Sequence, residues 1–201
     1  VLILTQTPPM YAAGFSDVRA GIWYYDAVMT LTNLSVVNGF PDGSFKPDKA
    51  LTVAEFLKLV AVAMYPRDIP EVIDGKIYYF DDYAFPENHW AARFYYAALF
   101  KGMITREEFP IERLDSEITR YQMSIVLHNL LKNIFGIVNT PAEGLENYIA
   151  DYDKIPAKYL DYVRSAYASG LLQGDENRCF NGEQSLTRAQ GATVLMRLIY
   201  P

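Results

Sequence analysis

The sequence predicts an all-α chain made of three related helix-loop-helix copies. Three observations carry this. First, Thr52-Val53-Ala54-Glu55, Thr119-Arg120-Tyr121-Gln122 and Thr187-Arg188-Ala189-Gln190 each place Glu or Gln three residues after Thr, and the Thr positions recur at intervals of 67 and 68 residues. Each tetrapeptide is a capping box, in which the Thr hydroxyl accepts from a backbone N–H one turn inside the helix and the Glu or Gln reaches back to the Thr N–H. Second, an Asp stands 35, 37 and 36 residues before these Thr residues, in Phe15-Ser16-Asp17, Phe80-Asp81-Asp82 and Ile149-Ala150-Asp151. Third, an apolar pattern of helical period runs between marker and box. The repeating unit is therefore Asp, helix, loop, Thr-capped helix.

Residues 1–14 read as a lead-in, where Pro8-Pro9 breaks regular structure. The first copy spans 15–66. Its opening helix aligns Trp23, Tyr24, Ala27, Val28 and Leu31 on one face and closes on Ser35-Val36-Val37. The loop holds Pro41-Asp42-Gly43, a turn in which Pro presets the backbone and Gly tolerates positive φ. The helix capped by Thr52 carries Phe56, Val60 and Met64 on a strong apolar face.

Residues 67–78 read as a linker, and the second copy spans 79–136. Trp90, Ala91, Phe94, Tyr95 and Ala98 lead to Gly102-Met103-Ile104, and Met123, Leu127, Leu130 and Ile134 form the second apolar face. This loop departs from the pattern. Arg106 stands in the slot of Gly39, Pro-Asp-Gly is absent, and Phe109 precedes its Thr by 10 residues where Phe45 and Phe180 precede theirs by 7. A longer, differently shaped loop is expected. A linker over 137–148, with Pro141 and Gly144, leads to the third copy at 149–201. There Tyr159, Tyr162, Val163 and Ala166 precede Gly170-Leu171-Leu172, the loop carries Gly174-Asp175 and Phe180, and Ala192, Leu195, Met196 and Ile199 line the capped helix.

A lone hairpin of about 55 residues cannot cover its own apolar face, so the three copies are expected to pack around a shared centre. With 201 residues, 51% of them apolar or aromatic, the chain can bury such a core. A net charge of −6, a pI near 4.9 and no Lys/Arg cluster exclude nucleic acid as a partner, because phosphate binding rests on clustered cations. No stretch approaches the ~18 apolar residues of a membrane span. The opening Val1-Leu2-Ile3-Leu4 is too short for a signal sequence, so any export signal is expected to have been removed or to lie outside this chain. Cys179 has no internal partner and reads as a free buried thiol.

Nothing points to catalysis, a metal or a cofactor. His89 and His128 are the only histidines, and there is no metal-ligand spacing, phosphate loop or nucleophile elbow. Asp42-Gly43-Ser44 with Asp48 lacks the alternating ligands and terminal Glu of a calcium loop.

The candidate chemistry lies one residue after the capping Thr. Arg120 and Arg188 sit in the first turn of a helix, whose unpaired N–H groups and partial positive charge suit an anion. A guanidinium adds a planar fork matched to a carboxylate. The alternative for both is an ion pair with a neighbouring acid such as Asp82 or Asp151. The first copy has Val53 in this slot.

Taken jointly, Phe15-Ser16-Asp17-Val18, Trp23-Tyr24, Ala27-Val28, the run Gly39-Phe40-Pro41-Asp42-Gly43-Ser44-Phe45-Lys46-Pro47 and the Thr-Arg boxes resemble the S-layer homology domain of bacterial surface proteins, in three tandem copies. The resemblance implies a pseudo-threefold arrangement, with one helix per copy in a central three-helix bundle and grooves between neighbouring copies. It also implies an extracellular module at the cell wall. Such a module binds a secondary cell-wall polysaccharide linked to peptidoglycan, often pyruvylated, and carries a fused effector or surface-layer domain. Carried over by residue, the motif Arg falls on Arg120 and Arg188 and is missing at Val53, so at most two strong anion grooves are expected.

Other candidates have two readings each. Asp17, Asp82 and Asp151 could bond sugar hydroxyls or cap the helix that follows. Trp23 and Trp90 could stack on a sugar or serve as core and groove wall, and Lys158, aligned with them, could supply a further cation. Gly39, Gly102, Gly170 and Gly174 fit ligand contact or turn geometry alike. The competing function is a degenerate module serving protein–protein interaction or surface-layer assembly without glycan.

Overall fold

The computed structural model describes residues 14–73, 76–79, 83–86, 89–136 and 144–200. The lead-in up to residue 13, the marker Phe80-Asp81-Asp82 and linker residues 137–143 lie outside them. The described chain is predominantly helical: α1 (Tyr25–Asn33), α2 (Val53–Met64), α3 (Ala92–Phe100), α4 (Arg120–Phe135), α5 (Ala157–Ala168) and α6 (Arg188–Ile199). Thr52, Thr119 and Thr187 each form both halves of a capping box, on α2, α4 and α6. Among the described residues no helix is long and apolar enough to cross a membrane.

The copies are not self-packed hairpins. The main helix contacts run between copies: α1 lies on α6, α3 on α2 and α5 on α4, while α2 and α6 also pack together. Each opening helix thus covers the capped helix of the preceding copy, and the first copy covers the third. The cycle closes through the backbone just before each capping Thr. Leu51 N–H donates to the Leu186 carbonyl at 2.8 Å, Ile118 N–H to the Leu51 carbonyl at 2.9 Å, and Leu186 N–H to the Ile118 carbonyl at 3.4 Å. All three residues are buried, so this ring marks a pseudo-threefold centre.

The core follows the predicted apolar faces, with Val28, Phe56, Val60, Met123, Leu127, Val163 and Leu195 buried. Ile134 departs from expectation and is exposed, because α4 runs 16 residues against 12 in α2 and α6 and its last turn passes the core.

The stretch from the expected linker 67–78 into the start of the second copy differs from expectation. It holds a three-stranded antiparallel sheet, β1 (Glu71–Ile73), β2 (Lys76–Tyr79) and β3 (Tyr83–Pro86), in the order β1-β2-β3. Ile73 pairs with Lys76 and Tyr79 with Tyr83. The overlooked signal is Asp74-Gly75 flanked by β-branched and aromatic residues, a strong short-range hairpin pattern.

Candidate ligand-binding grooves

The first two N–H groups of each capped helix are bonded to a neighbouring copy. Arg188 and Ala189 N–H donate to the Lys49 and Pro47 carbonyls, Arg120 and Tyr121 to Gln184 and Gly182, and Val53 and Ala54 to Ser116 and Leu114, all within 2.8–3.0 Å. The capping box engages the remaining two donors. The helix end therefore supplies its dipole but no free donors, which differs from the open anion site expected from sequence.

Both arginines lie at the seams. Arg188 Nε donates to the Phe45 carbonyl at 2.8 Å and Nη2 to the Asn38 carbonyl at 2.9 Å. Its guanidinium sits 4.6 Å and 5.0 Å from the ring centroids of Phe45 and Phe40. Arg120 repeats the pattern with the Phe180 and Gln173 carbonyls, both at 2.5 Å, over the Phe180 ring. The partners are carbonyl oxygens, not the carboxylate of Asp151, and Asp82 lies outside the described residues. Burial pushes both guanidinium groups down from their ordinary value, opposed by Asp151 and Asp175 at Arg120 and by Glu55 and Asp17 at Arg188. A guanidinium has five N–H donors, so each arginine has three left after its carbonyl bonds.

Asp17 and Asp151 hold the loops these arginines bind. Asp17 accepts from Phe45 N–H at 2.7 Å and Lys46 N–H at 2.8 Å, and Asp151 from Phe180 N–H at 2.6 Å and Asn181 N–H at 2.9 Å. Neither caps the helix that follows, as α1 and α5 have no side-chain cap.

Two grooves take their walls from all three copies. In the first, of about 250 Å³, Arg120 faces the loop Leu172–Asp175, α6 residues including Thr193 and Arg197, and Trp23. In the second, of about 190 Å³, Arg188 faces the loop Val36–Phe40, Glu55 and Lys58 on α2, and Trp90. Trp23 and Trp90 are 63% and 51% exposed, so they are groove wall and not core. A third groove, of about 250 Å³, replaces arginine with Val53 and is lined by Glu107, Glu108, Phe109, Arg113 and Gln122. The charged linings differ in sign. The first two grooves have two cations against one acid, the third one cation against two acids.

Lys158, aligned with the tryptophans, is exposed and lies 4.6 Å from the Tyr159 ring centroid. Gly102 and Gly170 have φ of +64° and +72° at the ends of α3 and α5, so turn geometry accounts for them. Gly39 lines the second groove, and a Cβ there would lie 2.3 Å from the Phe15 ring. Cys179 is a free thiol but half-buried, on the wall of the first groove. His89 bonds Asp115 at 3.0 Å and His128 lies on α4, so the two histidines have separate surroundings.

Sequence reading missed Arg197, Lys58, Arg113 and Tyr95. Aligning the capped helices beyond the box would have found Arg197, ten residues after its Thr. It donates to the Leu171 carbonyl at 3.2 Å as Asn129, ten residues after Thr119, donates to that of Met103 at 3.0 Å.

Interleaved helix-loop-helix copies with an arginine and an exposed tryptophan meeting in their seams define a repeat-built module with inter-copy grooves. Residues 14–57 and 149–192 match the model of the S-layer homology domain, within the first and third copies. Three such domains were expected, and the match is found at two positions. The chain is 26% identical over 186 residues to an endoglucanase of Bacillus sp. (strain KSM-635), covering 92% of this chain and 19% of that protein. It is 25% identical to the cellulosome-anchoring protein of Acetivibrio thermocellus, covering 85% of this chain and 35% of that one. Identity is 27% to the surface-layer 125 kDa protein of Lysinibacillus sphaericus, covering 66% and 11%. The chain thus spans from about a tenth to about a third of these relatives.

Proposed function

We propose that the chain is a non-covalent anchoring module of the bacterial cell surface. Its two arginine grooves bind an anionic, pyruvylated secondary cell-wall polysaccharide, and the middle copy is a diverged S-layer homology domain. The observation that carries this is the meeting, in each of two grooves, of a partly used guanidinium from one copy with an exposed tryptophan from another. The guanidinium supplies N–H donors for a ketal carboxylate, and the tryptophan a flat face for the sugar.

Volumes of about 190 and 250 Å³ lie below the roughly 300 Å³ of enclosed small-molecule sites. That suits the end of a polymer better than an engulfed ligand. An acidic chain gains no long-range attraction toward an acidic polymer, and fields are screened within about 8 Å at physiological salt. Recognition is therefore short-ranged and set by the grooves. The module anchors and does not catalyse, and it holds a fused effector or surface-layer domain at the wall. The matches to an endoglucanase, a cellulosome-anchoring protein and a surface-layer protein over part of their lengths support that reading.

The test is co-sedimentation with purified cell walls. Trp23→Ala with Trp90→Ala removes the two exposed faces with little loss of packing and is expected to abolish pelleting. Undiminished pelleting would exclude these grooves, and capture of surface proteins without wall binding would favour the protein-interaction reading.

A further inference from the structure

We infer that Tyr95 latches the Phe109 loop at the middle seam in place of an arginine, and that the pair Val53 and Tyr95 fixes at two the number of grooves with an arginine at the start of the capped helix. In the other seams the loop Phe carbonyl accepts from Arg Nε, Phe45 from Arg188 and Phe180 from Arg120. The equivalent Phe109 carbonyl accepts instead from the Tyr95 hydroxyl at 2.7 Å, a buried bond within the second copy. Tyr95 occupies in α3 the place of Val28 in α1 and Val163 in α5, and all three are buried. Valine cannot reach the carbonyl; the phenol can.

The second carbonyl is satisfied internally as well. Arg188 and Arg120 also bind Asn38 and Gln173, which follow the apolar pairs Val36-Val37 and Leu171-Leu172. The residue after Met103-Ile104 is Thr105, whose carbonyl accepts from Phe109 N–H at 3.0 Å. An arginine at position 53 would find the two carbonyls that its counterparts use already bonded within the second copy, and Val53, 2% exposed, fills the slot without one. The substitutions are reciprocal by position: the two arginine seams carry valine in the Tyr95 slot, at Val28 and Val163, and the tyrosine seam carries valine in the arginine slot, at Val53.

The exchange changes what the groove offers. A phenol has one proton, and Phe109 takes it, whereas each arginine keeps three N–H donors after its two carbonyl bonds. Glu107 and Glu108 then outnumber Arg113 on the wall. The middle seam closes the fold and does not take the acid.

The count of bound acids rests on the anchoring proposal, but the latch stands on its own geometry. Two measurements on the full chain therefore separate them. Titration calorimetry with a 4,6-pyruvylated methyl glycoside should give two equivalents per chain, unchanged by Tyr95→Phe. Three equivalents on the unmodified chain overturn the count. No binding at all defeats the anchoring proposal and leaves the latch to thermal melting. There Tyr95→Phe, which deletes only the hydroxyl, should lower Tm by roughly 2–8 °C because a buried carbonyl loses its partner. Adding Val53→Arg to Tyr95→Val should recover at least half of the Tm lost by Tyr95→Val alone and add a third equivalent of probe. An unchanged Tm in Tyr95→Phe, or a further fall when Val53→Arg is added to Tyr95→Val, overturns the latch.

Discussion

Arg188 Nε and the Phe45 carbonyl meet at 2.8 Å across 143 positions of sequence, joining the third copy to the first. The same Phe45 presents its N–H to Asp17 at 2.7 Å. One residue thus hands the loop from an acid in its own copy to a cation in another. Asp151, Phe180 and Arg120 repeat the relay between the third copy and the second. The residues expected to bind ligand therefore also hold the seams together.

That double role sets the outcome of Arg188→Ala. The variant loses two charge-assisted bonds, worth about 1.5–3 kcal/mol each, and contacts with two rings worth about 0.5–1 kcal/mol. Because such contributions within one network are not additive, about 2–4 kcal/mol is expected in sum. Thermal melting should show Tm lower by roughly 4–16 °C, with far-UV circular dichroism at 25 °C unchanged. Arg188→Lys keeps the charge but not the fork and should fall between the two. A wild-type Tm in Arg188→Ala would restrict the arginine to ligand contact.

Interleaving predicts that no copy is dispensable. Residues 1–148 retain α1 and α4 but lose their packing partners α6 and α5, together with the Leu186 carbonyl that Leu51 requires. This fragment is expected to melt without a cooperative transition and to lose more helix than the deleted residues account for. Mixing it with residues 149–201 should restore the transition. Cooperative melting of 1–148 alone near the full-length Tm would show that the ring is not needed.

How much of this was legible follows from the range of the interactions. The capping boxes were readable because they are closed within four residues, and all three form. The apolar faces were readable because period alone defines them. What those faces pack against was not, since α1 lies on α6 at the far end of the chain. The helix ends misled for the same reason: carbonyls of a distant loop, such as those of Lys49 and Pro47 at the start of α6, already occupy the N–H groups that look free in sequence. Tyr95 reads as one more core aromatic until Phe109 is seen above it.

Gly191 tests the ring from its packing side. It lies inside α6, where Ala is ordinarily favoured over Gly by about 1 kcal/mol. A Cβ at this position would lie 2.2 Å from Leu51 Cδ1, and Leu51 is fully buried in the ring. Overpacking costs about 1–3 kcal/mol, which leaves a net loss of up to about 2 kcal/mol after the helix gain. Gly191→Ala is therefore expected to lower Tm by up to roughly 8 °C, with partial recovery in Gly191→Ala/Leu51→Val. A raised Tm would mean that Leu51 moves aside freely.

His128 makes the fold less stable as pH falls. On α4 its ring stands edge-on to Tyr162 of α5 at 5.2 Å, and its Nδ1 is buried without a hydrogen-bond partner. Burial chiefly, then Lys132, pushes its pKa below the ordinary value, against a weaker opposite pull from Asp161. With the folded value depressed, the unfolded chain takes up the proton first, so unfolding gains protons as pH falls. Stability from this group is complete above about pH 7, declines as pH drops through about 6.5 toward the folded value, and levels off below it. His128→Phe retains a ring against Tyr162 and removes the titration. Urea unfolding between pH 8 and 5 should show a slope in the wild type that is reduced in His128→Phe. Equal slopes in the two proteins would place the pH dependence elsewhere.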